Sequence, residues 1–376
     1  MTGSSKVSWT RKPTFLERVG KSLAGTVLGI AMFCISFIVL YYNEGSSVEE
    51  SEMLNEARRL VVNLDSSSTS QYNDHLVFHS GFLETDKRIA DNVYPVSFGC
   101  VKLKRIVEMY QWVEHTDVKE VDEIRHETTY YYETEWSSSL ITSQSFAEEL
   151  GHKNPRVFPL TNFEYTAHLV SIDGLQVSQP FINQIVWFET IENLPSNQKT
   201  YGHYYYNGDD STNPKVGDYR VSFQCAGKSH LSEHGLADRV SILGLLHNGQ
   251  FVPYTTKNKR TVALLYHGLK TSDEVLDLQH SYNNATTWLI RCLGFALMFV
   301  GLNIMSRIVV TIVDWVPIVR GIVALSVMMF NLSLALFLSM VTIALCWLRF
   351  HPWFASALMG TSLLPWFISL QRMSTV

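Results

Sequence analysis

Four stretches of this chain carry almost no charge. Residues 22–42 contain none, and about twenty apolar residues suffice to cross a hydrocarbon core of roughly 30 Å. Residues 286–306 are interrupted only by Arg291 near the start, where a long side chain can reach back to the headgroups. Residues 321–348 are uncharged and longer than a perpendicular crossing needs, so that run should tilt or extend past the core. The last run, 352–370, ends before Arg372. The first run is too long for a signal-peptide core, and Tyr41-Tyr42-Asn43-Glu44 lacks a small-residue cleavage pattern, so it reads as a retained anchor. The pattern predicts four transmembrane helices.

Between the first two runs the periodicity changes. Residues 48–64 read as a helix, because Met53, Ala57, Leu60, Val61 and Leu64 fall on one stripe while Glu49, Glu56 and Arg59 lie elsewhere. Beyond Asp65-Ser66-Ser67-Ser68, strands dominate. Residues 101–113 and 128–136 are rich in β-branched and aromatic types. Asn248-Gly249 is a strong hairpin signal between 239–247 and 250–256, and the polar residues 257–260 turn into 261–267 as a third strand. Ser145 followed by Glu148 forms a capping box for a short helix that Gly151 would end. Residues 181–191 fit either a helix or a strand. The expected fold is an α+β membrane protein: four transmembrane helices, with a large β-rich luminal domain over 43–285 inserted between helices 1 and 2.

Charge sharpens this division. Residues 43–285 hold 33 acidic and 20 basic side chains, and the rest of the chain holds 2 acidic and 10 basic. An acidic insert on a basic, apolar frame is the pattern of a domain projecting from a membrane. Lys6, Arg11, Lys12, Arg18 and Lys21 precede the first run against a single Glu17, and Glu44, Glu49, Glu50 and Glu52 follow it. The positive-inside rule then places the tail, 1–21, in the cytoplasm or nucleoplasm. Four crossings would return the loop 307–320 and the C-terminal residues 371–376 to that side. The tail is expected to be disordered at its start.

Little in the sequence points to catalysis. There is no G-x-S-x-G elbow, phosphate loop or dinucleotide fingerprint. His230 and His234 are four apart, but Gly227, Ser229, Ser232 and Gly235 make the segment a loop, and no third ligand for a catalytic zinc is placed. No cofactor or metal is expected. The acidic balance of the large domain repels phosphates and argues against nucleic acid. Asn303, Arg307, Thr311 and Asp314 would align on one face of a continuous helix at membrane depth. They read either as an intramembrane assembly surface or as a juxtamembrane Arg307–Asp314 pair that sets helix depth. Cys100 and Cys225, the two cysteines of the large domain, could bridge in an oxidising lumen or stay as buried thiols.

Several runs resemble the transmembrane protein 43 (LUMA) family over nearly the whole chain from Phe15. They include Asn43-Glu44-Gly45, Val107-Glu108-Met109-Tyr110-Gln111-Trp112-Val113-Glu114, Gly151-His152-Lys153-Asn154-Pro155, Val216-Gly217-Asp218-Tyr219-Arg220-Val221-Ser222-Phe223, Gly301-Leu302-Asn303, and Val313-Asp314-Trp315. The tail matches only in its basic character. The resemblance implies a multi-pass protein of the inner nuclear membrane and endoplasmic reticulum, with its large domain in the perinuclear lumen. It further implies self-association, contacts with lamins and emerin, and a non-enzymatic role in maintaining nuclear-envelope structure.

Overall fold

Helix formation runs further than the apolar stretches alone predict. In the computed structural model, which describes residues 3–9, 15–64, 69–122, 125–195, 199–312 and 317–348, the long helices are α1 (Phe15–Leu60), α2 (Ser272–Ile312) and α3 (Pro317–Trp347). The first membrane run and the amphipathic stretch after it form one helix of 46 residues, about 69 Å at 1.5 Å per residue. Met53, Leu54 and Ala57 are buried on its inner stripe, whereas Leu60 is exposed and ends the helix. The β-branched pair Val61-Val62 follows, and Val62–Asn63 turns into a short parallel strand. α2 likewise begins at Ser272, well ahead of the apolar run. Thr271 caps it: its hydroxyl accepts from the Glu274 amide while Glu274 accepts from the Thr271 amide, a capping box.

Among the described residues, three helices are long and apolar enough to cross a membrane, over Gly25–Leu60, Ser272–Arg307 and Gly321–Trp347. This corrects the expectation of four transmembrane helices with the β domain between the first two. In chain order, one such helix precedes the β domain and two follow it. An uncharged run shows that a segment can enter hydrocarbon, not that it forms a spanning helix, and 352–370 lies outside the described residues.

The chain divides into a β unit and a helical unit. The strands that organise the β unit are β1 (Gly3–Trp9), β2 (His75–Thr85), β3 (Cys100–Asp122), β4 (Arg125–Ser137), β5 (Tyr219–Lys228) and β6 (Arg239–His247). An eight-stranded sheet runs from β1 through β4 and β3 to β5 and on to Tyr204–Asn207 and Thr200–Tyr201. A seven-stranded sheet is centred on β6 and β2, antiparallel from Arg239 opposite Phe82 to Leu246 opposite His75. Asn248 and Gly249 both have positive φ, 50° and 75°, and join His247 to Gln250 as the expected tight hairpin. β6 also pairs with Leu264–His267, from Val240 opposite His267 to Leu243 opposite Leu264, on the edge that carries Gln250–Val252, because β2 takes the other edge. The third strand of the expected meander thus returns to the first.

Some local expectations give way to tertiary packing. Gly3–Trp9 form a strand rather than a disordered start, antiparallel to β4 from Gly3 opposite Tyr131 to Trp9 opposite Arg125. At Ser145 there is a single 3-10 turn, Ser143–Ser145, because the Ser145 hydroxyl donates back to the Thr142 carbonyl instead of capping. The ambiguous stretch is both things in succession: a short helix, Gln179–Ile182, then a strand, Phe188–Thr190.

Alternation along β3 decides what enters the core. Leu103, Arg105, Val107, Met109 and Gln111 all point inward and are buried. The two polar members must therefore find partners inside. Arg105 makes an ion pair with Asp91 at 2.8 Å, the two side chains 3% and 0% exposed. Gln111 donates to the Ser139 carbonyl at 3.0 Å and accepts from the Ile141 amide at 2.9 Å. Further along the strand, the Asn154 amide accepts from the Trp112 amide at 2.7 Å and donates to the Trp112 carbonyl at 2.8 Å, closing that stretch of edge as a strand neighbour would.

Candidate functional site

The helical unit holds the most concentrated polar chemistry, and it centres on Glu44 of α1. The Glu44 side chain is 1% exposed. Arg291 of α2 donates to it side-on, Nε to Oε1 and Nη2 to Oε2, both at 2.6 Å. Trp347 at the end of α3 donates its indole N–H to Oε2 at 2.7 Å. One carboxylate thus ties all three helices. The Arg291 guanidinium also lies over the Trp288 ring, 4.8 Å from its centre. A carboxylate this buried is tolerable only when paired and fully bonded.

From Glu44 the contacts continue along α1 and α2. Asn43 donates to the Thr287 carbonyl at 3.2 Å, Thr287 Oγ1 donates to Ser47 Oγ at 2.8 Å, and Asn283 donates to the Ser47 carbonyl at 3.0 Å. Arg58 pairs with Asp277 beyond them. Positions 44, 47, 51, 54 and 58 of α1 step by three or four, the spacing that keeps one seam of a helix against its neighbour. On the other side of Glu44 the helices approach through glycine. A Cβ on Gly29 would stand 2.8 Å from the Gly301 carbonyl oxygen, and a Cβ on Gly301 would stand 2.8 Å from that of Gly29. Small residues at such contacts let backbones close up where lipid supplies no hydrophobic drive.

Of the expected polar stripe, the structure places two members clearly. Asn303 accepts from Asn331 Nδ2 of α3 at 3.2 Å and donates to the Phe299 carbonyl at 2.7 Å. Its side chain therefore joins α2 to α3 of the same chain. Arg307 is exposed near the end of α2. Thr311 lies in the last turn of α2, and its side chain is outside the described ones, as is the whole of Asp314. Sequence reasoning missed Asn331, whose sequon sits inside a span, and it missed Glu44 with Arg291. A buried Asn and an acidic residue at the margin of an apolar run are the signals that could have found them.

In the β unit, Cys100 and Cys225 are both buried and both free thiols. A hydrogen bond between the two thiols, reinforced by burial, pushes the Cys100 thiol far above its ordinary range. His230 and His234 do not converge on a ligand. His234 Nε2 lies 3.1 Å from the Asn193 carbonyl, and its ring meets Phe98 edge-on. Among the described residues no group of three His, Cys, Asp or Glu side chains could hold a metal. An open cleft of about 690 Å³ does lie here, walled by Phe98, Ile191, Leu194, Cys225, Lys228 and His234. Glu189 holds Lys228 at 2.7 Å on its margin and raises the lysine's pKa through that hydrogen bond.

A family profile described as transmembrane protein 43 matches residues 109–352. The chain is 35% identical to transmembrane protein 43 of Rattus norvegicus over 98% of its own length and 95% of the rat protein. It is 35% identical to the Homo sapiens protein over 98% and 94%. The chain belongs to the transmembrane protein 43 family. A transmembrane protein 43 homolog of Drosophila melanogaster is 29% identical over 91% of this chain. No solved structure matches. The transmembrane protein 43 profile takes in α2 and α3 with Arg291, Asn303, Asn331 and Trp347, while Glu44 lies outside it. This is a membrane protein family by name, and the apolar helices agree.

Proposed function

We propose that this chain is a non-enzymatic organiser that assembles protein complexes at the inner nuclear membrane and endoplasmic reticulum and so helps to maintain the nuclear envelope. The observation that carries this reading is where the buried charge of the helical unit goes. Glu44, Arg291 and Trp347 are consumed in tying helices together. Such a bundle is built to hold a shape, and Arg307, exposed near the end of α2, is the member of the stripe at which the assembly is tested. Self-association and contacts with lamins and emerin belong to the same proposal.

The test is gentle detergent extraction of tagged protein from nuclear envelopes, with native size and co-purifying proteins read by mass spectrometry. A large assembly containing lamina or envelope proteins, shrinking in Arg307→Leu, is the expected result. A small particle without partners, in a detergent that preserves other envelope complexes, rejects the organiser.

Sidedness is part of the proposal. The basic flank of α1 argues for a cytoplasmic or nucleoplasmic tail and a luminal β unit. Pairing of β1 with β4 argues that the tail lies with the β unit. Both cannot hold across a bilayer, because an open-edged ribbon carrying Asp117 and Lys119 cannot pass through hydrocarbon. We take the flank to decide, so that β1 parts from β4 on insertion. A cysteine placed at Ser5 in sealed microsomes should then react with an impermeant maleimide from outside, and protection until the membrane is opened would reverse the assignment.

A second reading is favoured by the 690 Å³ cleft, whose volume lies within the roughly 300–1,000 Å³ of ligand pockets. In it the β unit recognises a lipid or peptide. Binding of such a ligand, lost on filling the cleft, would support it.

A further inference from the structure

On the outer side of the helical unit, α2 and α3 leave a groove of about 520 Å³ between them. Its α3 wall is Leu336, Ser339, Met340, Ile343, Ala344 and Trp347, and its α2 wall includes Cys292 and Phe295. These α3 positions follow the three-and-four spacing of one helix face. From Leu336 to Trp347 that face rises about 16 Å at 1.5 Å per residue, roughly half of a 30 Å hydrocarbon core. The groove is therefore as deep as one leaflet. It lies on two helices apolar enough to cross the bilayer, and among the described residues these two alone line it, so we take hydrocarbon as the medium around it.

Its rim has different chemistry. Trp288, Arg291 and Trp347 stand together at one end, the residue types found at headgroup level. A guanidinium carries five N–H donors, and two of those on Arg291 go to Glu44. The side chain is 18% exposed and lines the groove, so its remaining donors face whatever enters. Because Glu44 fixes the guanidinium side-on, those donors are held in place at the rim. An occupant must therefore be apolar over the length of a leaflet and bear an acceptor oxygen at its outer end.

We propose that the groove binds a phospholipid, one acyl chain lying against Leu336 and Met340 and a phosphate or ester oxygen accepting from Arg291. A free phosphate would leave the apolar wall bare, and a plain hydrocarbon would leave the guanidinium donors without an acceptor.

The test uses the full chain in liposomes of phosphatidylcholine doped with the same lipid bearing a photoactivatable acyl chain. After illumination, adducts are mapped by mass spectrometry. Adducts should concentrate on the α2 and α3 peptides that line the groove. Cys292→Trp, from an exposed position on the groove wall, should lower them by about tenfold, the factor that a modest loss of contact free energy produces. Leu293→Trp, exposed but off the wall, should leave them unchanged. Met340→Trp is the second groove-filling variant should the first fail to fold. Adducts spread evenly over the exposed helix faces, and equal in the filled and control variants, would mean bulk bilayer contact only and overturn the proposal. Labelled outer faces with an unlabelled groove would overturn it too, because protein rather than lipid would then cover the wall.

Discussion

Glu44→Ala should cost the helical unit about 3–5 kcal/mol, the range for removing one member of a buried ion pair. The loss has separate parts. Arg291 is left with two N–H donors pointing at a void, and its charge is left uncompensated beside an apolar groove. Trp347 loses the acceptor for its indole N–H. One relief acts against this, since a long arginine side chain can swing toward the headgroups. That swing would break the stacking over Trp288 and draw α2 from α1, so it offsets only part of the cost. Thermal unfolding of the full chain in detergent, followed by near-ultraviolet circular dichroism, should show a large fall in midpoint. Glu44→Gln keeps an acceptor oxygen and should fall less. Glu44→Gln combined with Arg291→Gln removes both charges and should sit closer to wild type than Glu44→Ala does. A Glu44→Ala protein within about 1 kcal/mol of wild type, the scale of an exposed ion pair, would remove the idea that this carboxylate locks the bundle.

The same residues show what a linear reading can reach. In the sequence Glu44 is an acidic flank that helps orient a helix, and Arg291 is a charge near enough to a run's end to escape it. Both descriptions are sound for a helix considered alone. Pairing across a gap of 247 positions is set by how three helices meet, and no local pattern encodes that meeting. The apolar runs, by contrast, report directly on the solvent a segment will tolerate, so α1, α2 and α3 were legible. Their ends were not, because helix formation continued through Gly45 and began early at the Thr271 cap.

The β unit divides along similar lines. Asn248-Gly249 was readable because its chemistry is contained in two residues with positive φ. Ser145 misled, since a hydroxyl that could cap a helix could equally turn back on Thr142, and packing chose the second. The stripe Asn303, Arg307, Thr311 and Asp314 reads as one helix face; Thr311's side chain and Asp314 lie outside the described residues, and the direction Asn303 faces depends on Asn331 of another helix. Cys100 and Cys225 could be named as a pair only because the large domain holds no other cysteine. Their contact rests on β3 lying antiparallel to β5, with Leu103 opposite Cys225 and Lys228 opposite Cys100.

The second large effect is expected inside the β unit, at Asp91. Its Oδ1 accepts from the Val93 and Tyr94 amides, both at 2.8 Å, and from Arg105 Nη1 at 3.0 Å, while Oδ2 takes the same nitrogen at 2.8 Å. The carboxylate thus shapes its own turn and neutralises a guanidinium that strand alternation has forced into the core. Arg105 has other acceptors, the Thr161 carbonyl at 3.1 Å and Asn92 Oδ1 at 3.2 Å, but none of them carries charge. Asp91→Ala should therefore cost about 3–5 kcal/mol, since an uncompensated charge remains buried. Asp91→Asn preserves the shape and one oxygen, so the turn amides keep an acceptor and the loss isolates the charge. Replacing both partners, as in Asp91→Leu with Arg105→Met, separates two explanations. If desolvated charge is what hurts, the double variant should recover much of the stability lost in Asp91→Ala. If the turn bonds matter more, it should stay as unstable as the single change. Unfolding of the full chain, monitored by fluorescence of tryptophans in the β unit, distinguishes these cases. An Asp91→Ala midpoint equal to wild type would mean that water reaches Arg105 and that the pair is not buried in solution.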